Sequence, residues 1–208
     1  MFNRKLIVMK NVYIFRHGET DWNNLGKLQG QTDIELNEKG VSQAKNISKY
    51  IKNIEFNKIF TSPLKRAMKT AEIVANDLNI KNIIVENDLI ECNFGDGNGV
   101  LKQDVNKLFG DNFNENWSSN ETQYDNLKFP NGESKIEVRD RIVKCIHKII
   151  SDNKNLDDFL FSSHGFIIKQ LIIASGSNDH KKLGNCEIVH FNFDEDAIKF
   201  IERIKTSI

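Results

Sequence analysis

Three short stretches carry residues that could work on an anion. Positions 14–19 read IFRHGE, so Arg16 and His17 stand between an apolar run and Gly18. Positions 61–67 read TSPLKRA and hold Arg66, and positions 162–165 read SSHG, with His164 before Gly165. A guanidinium binds two oxygens at once and keeps its charge at any physiological pH. A neutral imidazole is a competent nucleophile when its other nitrogen donates to a fixed acceptor. One Arg-His pair alone reads as a charged surface turn. Two arginines and two histidines brought together would form a pocket for a phosphate-like anion with a nucleophile inside it.

The elements that must position them can be read from patterning. Open α/β sheets bind ligands beyond the carboxyl ends of their strands, and each stretch ends an apolar run. VYIF at 12–15, KIFTS at 58–62, IIVE at 83–86 and DDFLFSSHG at 157–165 read as strands. Residues 37–51 carry Val41, Ala44, Ile47 and Ile51 at helical spacing behind an Asn37 N-cap. Ser62-Pro63 reads as an N-cap with proline at the first helical position, opening a helix to about Leu78 whose free N–H groups would face the anion. A long helix is expected from about Glu133 to Ser151, with Ile136, Val143, Ile146 and Ile150 as its apolar stripe. FIIKQLIIA reads as a buried helix, and EIVHFNF with AIKFIERI as a hairpin across Asp194, Glu195 and Asp196. Gly18 is expected to let the chain turn away without covering its neighbours. Strands alternating with helices indicate one layered α/β domain over residues 1–208. Residues 92–131, rich in glycine, asparagine and aromatics, read as a lid-like excursion with one or two short helices.

Totals bound the rest. A chain of 208 residues, 39% hydrophobic and 28% charged, fits one globular domain. Formal net charge is 0 and no basic run appears, which argues against nucleic acid or an anionic membrane as partner. Cys92, Cys145 and Cys186 lie far apart in no metal-ligand spacing, so reduced thiols and a cytoplasmic location are expected, with no structural metal. The first residues lack a signal-peptide pattern, no stretch is long enough to span a bilayer, and residues 1–8 read as a dispensable extension. The chain carries no heptads, and a homo-oligomer through an edge strand stays compatible with it. His147 and His180 read as solvated, His190 as a strand residue facing outward, Cys92 as inert, and Lys65 and Lys69 as solvated helix charges.

IFRHGETDWN, TSPLKRAMKTAE, LIECNFG, PNGES and SSHG, in this order, resemble the histidine phosphatase superfamily, which includes phosphoglycerate mutases and small phosphomonoesterases. The resemblance runs from about Val12 to Ile173 and implies a mixed, mostly parallel sheet flanked by helices. It implies that His17 is the nucleophile, that Arg16, Arg66 and His164 clamp the phosphoryl oxygens, and that Glu91 is the general acid and base. Asn23, Gln29 and Gly165 would line the phosphate and substrate pocket, and Glu19 would order the loop. Phosphoryl transfer asks mainly for positioning and charge stabilisation, which two guanidiniums and an imidazole supply without a metal or other cofactor. The expected partner is a small phosphomonoester.

Departures from the family pattern concern the ester. Many members read WEG where this chain has Gly97, Asn98 and Gly99, so a looser loop and a pocket edge lacking an indole and a carboxylate are expected. Residues 92–129 hold only Lys102, Lys107 and Lys128 as cations, against six acidic residues that include Asp96, Asp104 and Glu121. Such a lid would retain a second phosphate poorly, which favours a phosphatase over a cofactor-dependent mutase or a non-catalytic phosphate-binding protein, with a neutral, sugar-like or cationic leaving group. Phe166, with Phe94, Phe109, Phe113 and Trp117, would either wall the pocket or pack the lid.

Overall fold

Val12 and Ile14 face one way along β1 (Lys10–Arg16), Tyr13 and Phe15 face the other, and all four are buried. A strand buried on both faces belongs inside a sheet covered on both sides. The computed structural model describes residues 9–179, 181–194 and 197–206, and in it β1 lies within a six-stranded sheet. The other strands are β2 (Lys58–Thr61), β3 (Asn82–Val85), β4 (Asp158–Ser163), β5 (Ile188–Phe193) and β6 (Ile198–Ile204), in the spatial order β3-β2-β4-β1-β5-β6. β1, β2, β3 and β4 run parallel, whereas β5 pairs antiparallel with both β1 and β6. The chain is a single α/β domain with a mixed, mostly parallel sheet, as expected.

Among the described residues seven α-helices surround it: α1 (Asp21–Asn24), α2 (Glu38–Ile51), α3 (Lys65–Asp77), α4 (Val105–Phe109), α5 (Phe113–Ser118), α6 (Lys135–Asp152) and α7 (Gly165–Ala174). Ala44, Ile47 and Ile51 of α2 with Ala71 and Val74 of α3 cover the Tyr13–Phe15 face. α6 and α7 cover the Val12–Ile14 face, making three layers. Asn37 caps α2 as predicted, accepting from the Gly40 amide at 2.8 Å. Residues 92–131 hold α4, α5 and three short 3-10 turns, and Trp117, Phe94 and Phe109 pack around Phe129 there.

Several local expectations are corrected. α3 starts at Lys65, not at Pro63: Leu64 is its N-cap, and the Ser62 hydroxyl only accepts from the Leu64 amide at 3.3 Å. The buried stripe of α6 is Val138, Ile142, Cys145, Ile146 and Ile149, while Ile136, Val143 and Ile150 lie half-buried at its margin. A spacing of seven drifts on a straight helix, so 136, 143 and 150 track an edge. His147 is half-buried edge-on to Phe193, not solvated, and His190 stacks on Tyr13 at 4.2 Å. His180, residues 1–8 and two of the hairpin-turn residues, Glu195 and Asp196, lie outside the described residues.

Gly97 to Gly99 form no loose loop. The Gly97 amide donates to Phe94 O at 2.8 Å and the Gly99 amide to Leu28 O at 2.8 Å. A Cβ on Gly97 would stand 2.6 Å from the Phe129 ring, so the missing side chain is what lets that ring seat. Among the described residues no helix is long and apolar enough to cross a membrane.

Candidate active site

Parallel pairing sets the ends of three strands level. Arg16 of β1 is in register with Ser163 of β4, and Ser162 of β4 with Thr61 of β2. The residues that follow are His17, His164 and Ser62, so both histidines emerge at one edge with ring centroids 5.2 Å apart. His17 Nδ1 lies 2.7 Å from the Gly18 carbonyl. A carbonyl only accepts, so Nδ1 carries the proton and Nε2 keeps its lone pair. Gly18 serves close approach, not a turn. Its φ is not in the left-handed region, and a Cβ there would lie 2.4 Å from Gly40 O on α2. Glu19 fastens the same loop to the start of α2, accepting from Lys39 Nζ at 2.9 Å and Asn37 Nδ2 at 3.2 Å.

The two guanidiniums are held by carbonyls. Arg66, fully buried on α3, donates to Gly30 O and Thr32 O, both at 2.7 Å. Arg16 donates to Leu183 O at 2.8 Å. Burial lowers the pKa of both, that of Arg66 to about 10. Arg16 Nε, Arg66 Nε and His164 Nδ1 are buried without an acceptor among the described residues. Burial, then Arg66 and Arg16, hold the His17 pKa well below the ordinary imidazole value. His164 is depressed in the same way, and its Nε2 lies 2.7 Å from the Ser62 hydroxyl.

Glu91 stands across the cavity on a braced segment. Its Oε1 accepts from the Cys92 amide at 2.9 Å and its Oε2 from the Phe166 amide at 3.3 Å. Arg141 donates to Asp88 O and Ile90 O just before it, and Glu133 accepts from the Asn93 amide just after it. Burial raises the Glu91 pKa despite Arg66 and Arg16 nearby. Such a carboxyl can carry a proton near the pH at which His17 is neutral. Burial also pushes the Cys92 thiol up, leaving it a poor nucleophile.

A cavity of about 490 Å³, open on one side, joins Arg16, His17, Asn23, Gln29, Arg66 and Glu91, and Gly165 borders it. His164 does not line it; it is fully buried, with its ring centroid 5.2 Å from that of His17. The Lys65 amide at the start of α3 is directed elsewhere, to Asp33 Oδ1 at 2.7 Å, so that helix gives the site the Arg66 side chain and not the Lys65 N–H. Phe94, Trp117 and Phe166 form an apolar wall, with Trp117 stacked on Phe166 at 4.9 Å, whereas Phe109 and Phe113 pack against Phe129 and do not reach the cavity. Trp117 thus supplies an indole at the pocket edge.

The charge of the lid does not carry over to the cavity. None of the lid's acidic residues lines the cavity; Lys27, Lys102, Lys169, Lys181 and Lys182 do. Apart from Lys102 these lysines lie outside residues 92–129, and no local pattern in the sequence marks them as one group. Sequence reading also missed Asn185, whose side-chain amide donates to His17 O at 3.1 Å and to Asn23 Oδ1 at 3.2 Å. Among the described residues no three His, Cys, Asp or Glu side chains group closely enough to hold a metal ion.

The description of the histidine phosphatase superfamily (branch 1) matches residues 12–205. The chain belongs to that superfamily. This histidine phosphatase is 33% identical over 192 residues to an uncharacterized phosphatase of Bacillus subtilis strain 168, PhoE, covering 90% of this chain and 91% of that one. A solved phosphoserine phosphatase variant from Entamoeba histolytica, in complex with phosphoserine, superposes with a TM-score of 0.80 at 28% identity, covering 95% of this chain and 98% of that one. A phosphoglycerate mutase from Bacillus anthracis superposes with a TM-score of 0.82 at 26% identity, covering 94% and 93%. The enzyme is a phosphatase of this superfamily.

The buried histidines have a consequence for stability. Each is held neutral in the fold but takes up a proton when unfolded below its ordinary value of 6.5. The unfolded state then binds more protons, so stability falls as pH drops from 6.5 toward the depressed folded values. Glu91 acts in the opposite sense: the fold holds its proton longer, and stability is lost as pH rises from 4.5 to its raised value. His164→Gln should flatten the acid fall by one proton, about 1.4 kcal/mol per pH unit. Chemical denaturation between pH 7.5 and 5 measures it; an unchanged slope would mean that His164 already titrates normally in the fold.

Proposed function

We propose that this chain hydrolyses monoesters of phosphate on small metabolites through a phosphohistidine at His17, without a metal. The observation that carries this reading is an unprotonated imidazole nitrogen beside two guanidiniums, facing a carboxyl of raised pKa across one cavity. His17 Nε2 attacks phosphorus, the ester P–O bond breaks, and Glu91 protonates the departing oxygen. Arg16 and Arg66, with His164 behind, balance the charge on the equatorial oxygens. Glu91, now a carboxylate, takes a proton from water as that water attacks the phosphoryl group; the P–N bond breaks and inorganic phosphate leaves. Asn23, Gln29 and Gly165 border the substrate.

The lysine-lined cavity favours a second reading, a mutase that keeps a doubly phosphorylated intermediate, and the relative from Bacillus anthracis bears that name. One experiment separates the two. Phosphate release is followed in EDTA from phosphoserine, 3-phosphoglycerate, sugar phosphates, nucleotides and an aryl phosphate, with formation of 2-phosphoglycerate measured in parallel. Hydrolysis undiminished by EDTA is the expected result. Isomerisation of 3-phosphoglycerate without net phosphate release would replace hydrolysis by the mutase reading.

A further inference from the structure

Lys135 is the first residue of α6, and only 1% of it is exposed. Nothing local accounts for that burial. A cation in the first turn opposes the dipole of its own helix. Asp125, whose charge reaches it, is already bound by Arg139 at 2.9 and 2.7 Å. Burial, followed by Lys169, lowers the Lys135 pKa to about 8. The residue does not line the cavity and so does not act on substrate. A buried ammonium needs acceptors for its protons, and Lys135 Nζ donates to Asn116 O at 2.7 Å and Ser119 O at 2.8 Å.

Those carbonyls lie at the end of α5. A helix leaves its last carbonyls without amide partners, and its negative end attracts a cation. α5 carries no basic residue in its own last turn. Lys135 from α6 and Lys169 from α7, which donates to Ser118 O, supply that charge. Among the described residues the other side-chain hydrogen bonds of α5, Asn114 N to Asn106 and Asn106 to Glu115, stay within the excursion.

Trp117 stands between the residues so held. Lys135 Nζ lies 6.0 Å from its ring and 5.6 Å from that of Tyr124. The same indole stacks on Phe166 with ring planes 9° apart, and both line the cavity. Apolar packing is non-directional, whereas hydrogen bonds to the flanking carbonyls are directed and fix one setting of the ring. We propose that Lys135 is a positioning residue: by holding the end of α5 it sets Trp117 as the wall against which the leaving group lies, and so favours esters with a flat apolar body. This deepens the hydrolytic reading and rests on it. The wall binds the leaving group and takes no part in the transfer step, so the effect falls in KM.

The test is a ratio taken within each enzyme, which does not depend on the fraction of molecules folded: kcat/KM for 1-naphthyl phosphate over that for glycerol 2-phosphate. Lys135→Met keeps the length of the side chain and removes its donors. The ratio should fall about 10-fold, through KM for the naphthyl ester. Lys144→Met, at an exposed position of the same helix, should leave it as it was. In a Trp117→Leu background, Lys135→Met should change the ratio by less than about 2-fold, because one residue acts through the other. In Trp22→Phe protein, whose one tryptophan is Trp117, Lys135→Met should shift emission to the red and raise acrylamide quenching. An unchanged ratio or emission, equal losses on both esters, additivity with Trp117→Leu, or failure of Lys135→Met to fold would each overturn the positioning role while ester hydrolysis stands. Turnover of neither ester by the unaltered enzyme would overturn hydrolysis itself, and the role of Lys135 with it.

Discussion

His17→Ala is expected to lower kcat by about 10⁴-fold or more on every phosphomonoester the enzyme accepts. No neighbouring group can take over. His164 is fully buried with Nε2 against Ser62, the guanidiniums are not nucleophiles, and burial raises the Cys92 thiol pKa. The residual cavity would still bind and polarise a phosphoryl group, so KM should change far less than kcat. Transfer of label from a ³²P-substrate to the unaltered protein, in an acid-labile bond absent from the variant, would identify the phosphohistidine. A variant keeping more than about 1% of kcat, with no labelled protein in either form, would mean that water attacks directly and His17 only binds.

Glu91→Gln should cost about 10²- to 10⁴-fold on alkyl phosphates, whose leaving oxygen must be protonated. With 4-nitrophenyl phosphate the first step needs no proton and should survive. The second step still lacks its base, so the variant should release one equivalent of nitrophenolate per enzyme and then stall as phosphoenzyme. Glutamine keeps an acceptor oxygen for the Cys92 amide and gives up only the longer bond from the Phe166 amide, so the fold should persist.

The pH profile gives a second readout. Protonation of His17 removes the nucleophile, and its depressed pKa places the acid limb below the ordinary 6.5. Loss of the Glu91 proton removes the acid, and its raised pKa places the alkaline limb above the ordinary 4.5. Glutamine does not titrate, so the alkaline limb should vanish in the variant. Its persistence would assign that limb to another group, and equal losses on alkyl and nitrophenyl esters would confine Glu91 to binding.

Much of the fold was legible because it rests on short-range patterning. Asn37 capping α2, the buried run FIIKQLIIA and the alternation of strands with helices all depend on neighbours a few positions away. Where reading failed, a distant contact had intervened. The start of α3 moved because Asp33, from another segment, takes the Lys65 amide. Gly18 looked like a turn residue, but its requirement comes from Gly40 on α2. The loop 97–99 looked loose because the Phe129 ring that fills it is some thirty positions away.

The candidate residues divide in the same way. Arg16, His17, Arg66, Glu91 and His164 could be picked out because each sits in a short motif; all but Glu91 stand at the end of a strand or the start of a helix, and parallel pairing leaves such ends only one edge to share. The character of the rest of the pocket could not. Lys27, Lys102, Lys169, Lys181 and Lys182 come from separate stretches with no common pattern, and the acidic residues next to Lys102 in the chain do not line the cavity. The sequence by itself determined the candidate reacting groups; only the tertiary structure decided the charge around them, because an electrostatic potential is summed over distances in space and not over positions in a chain.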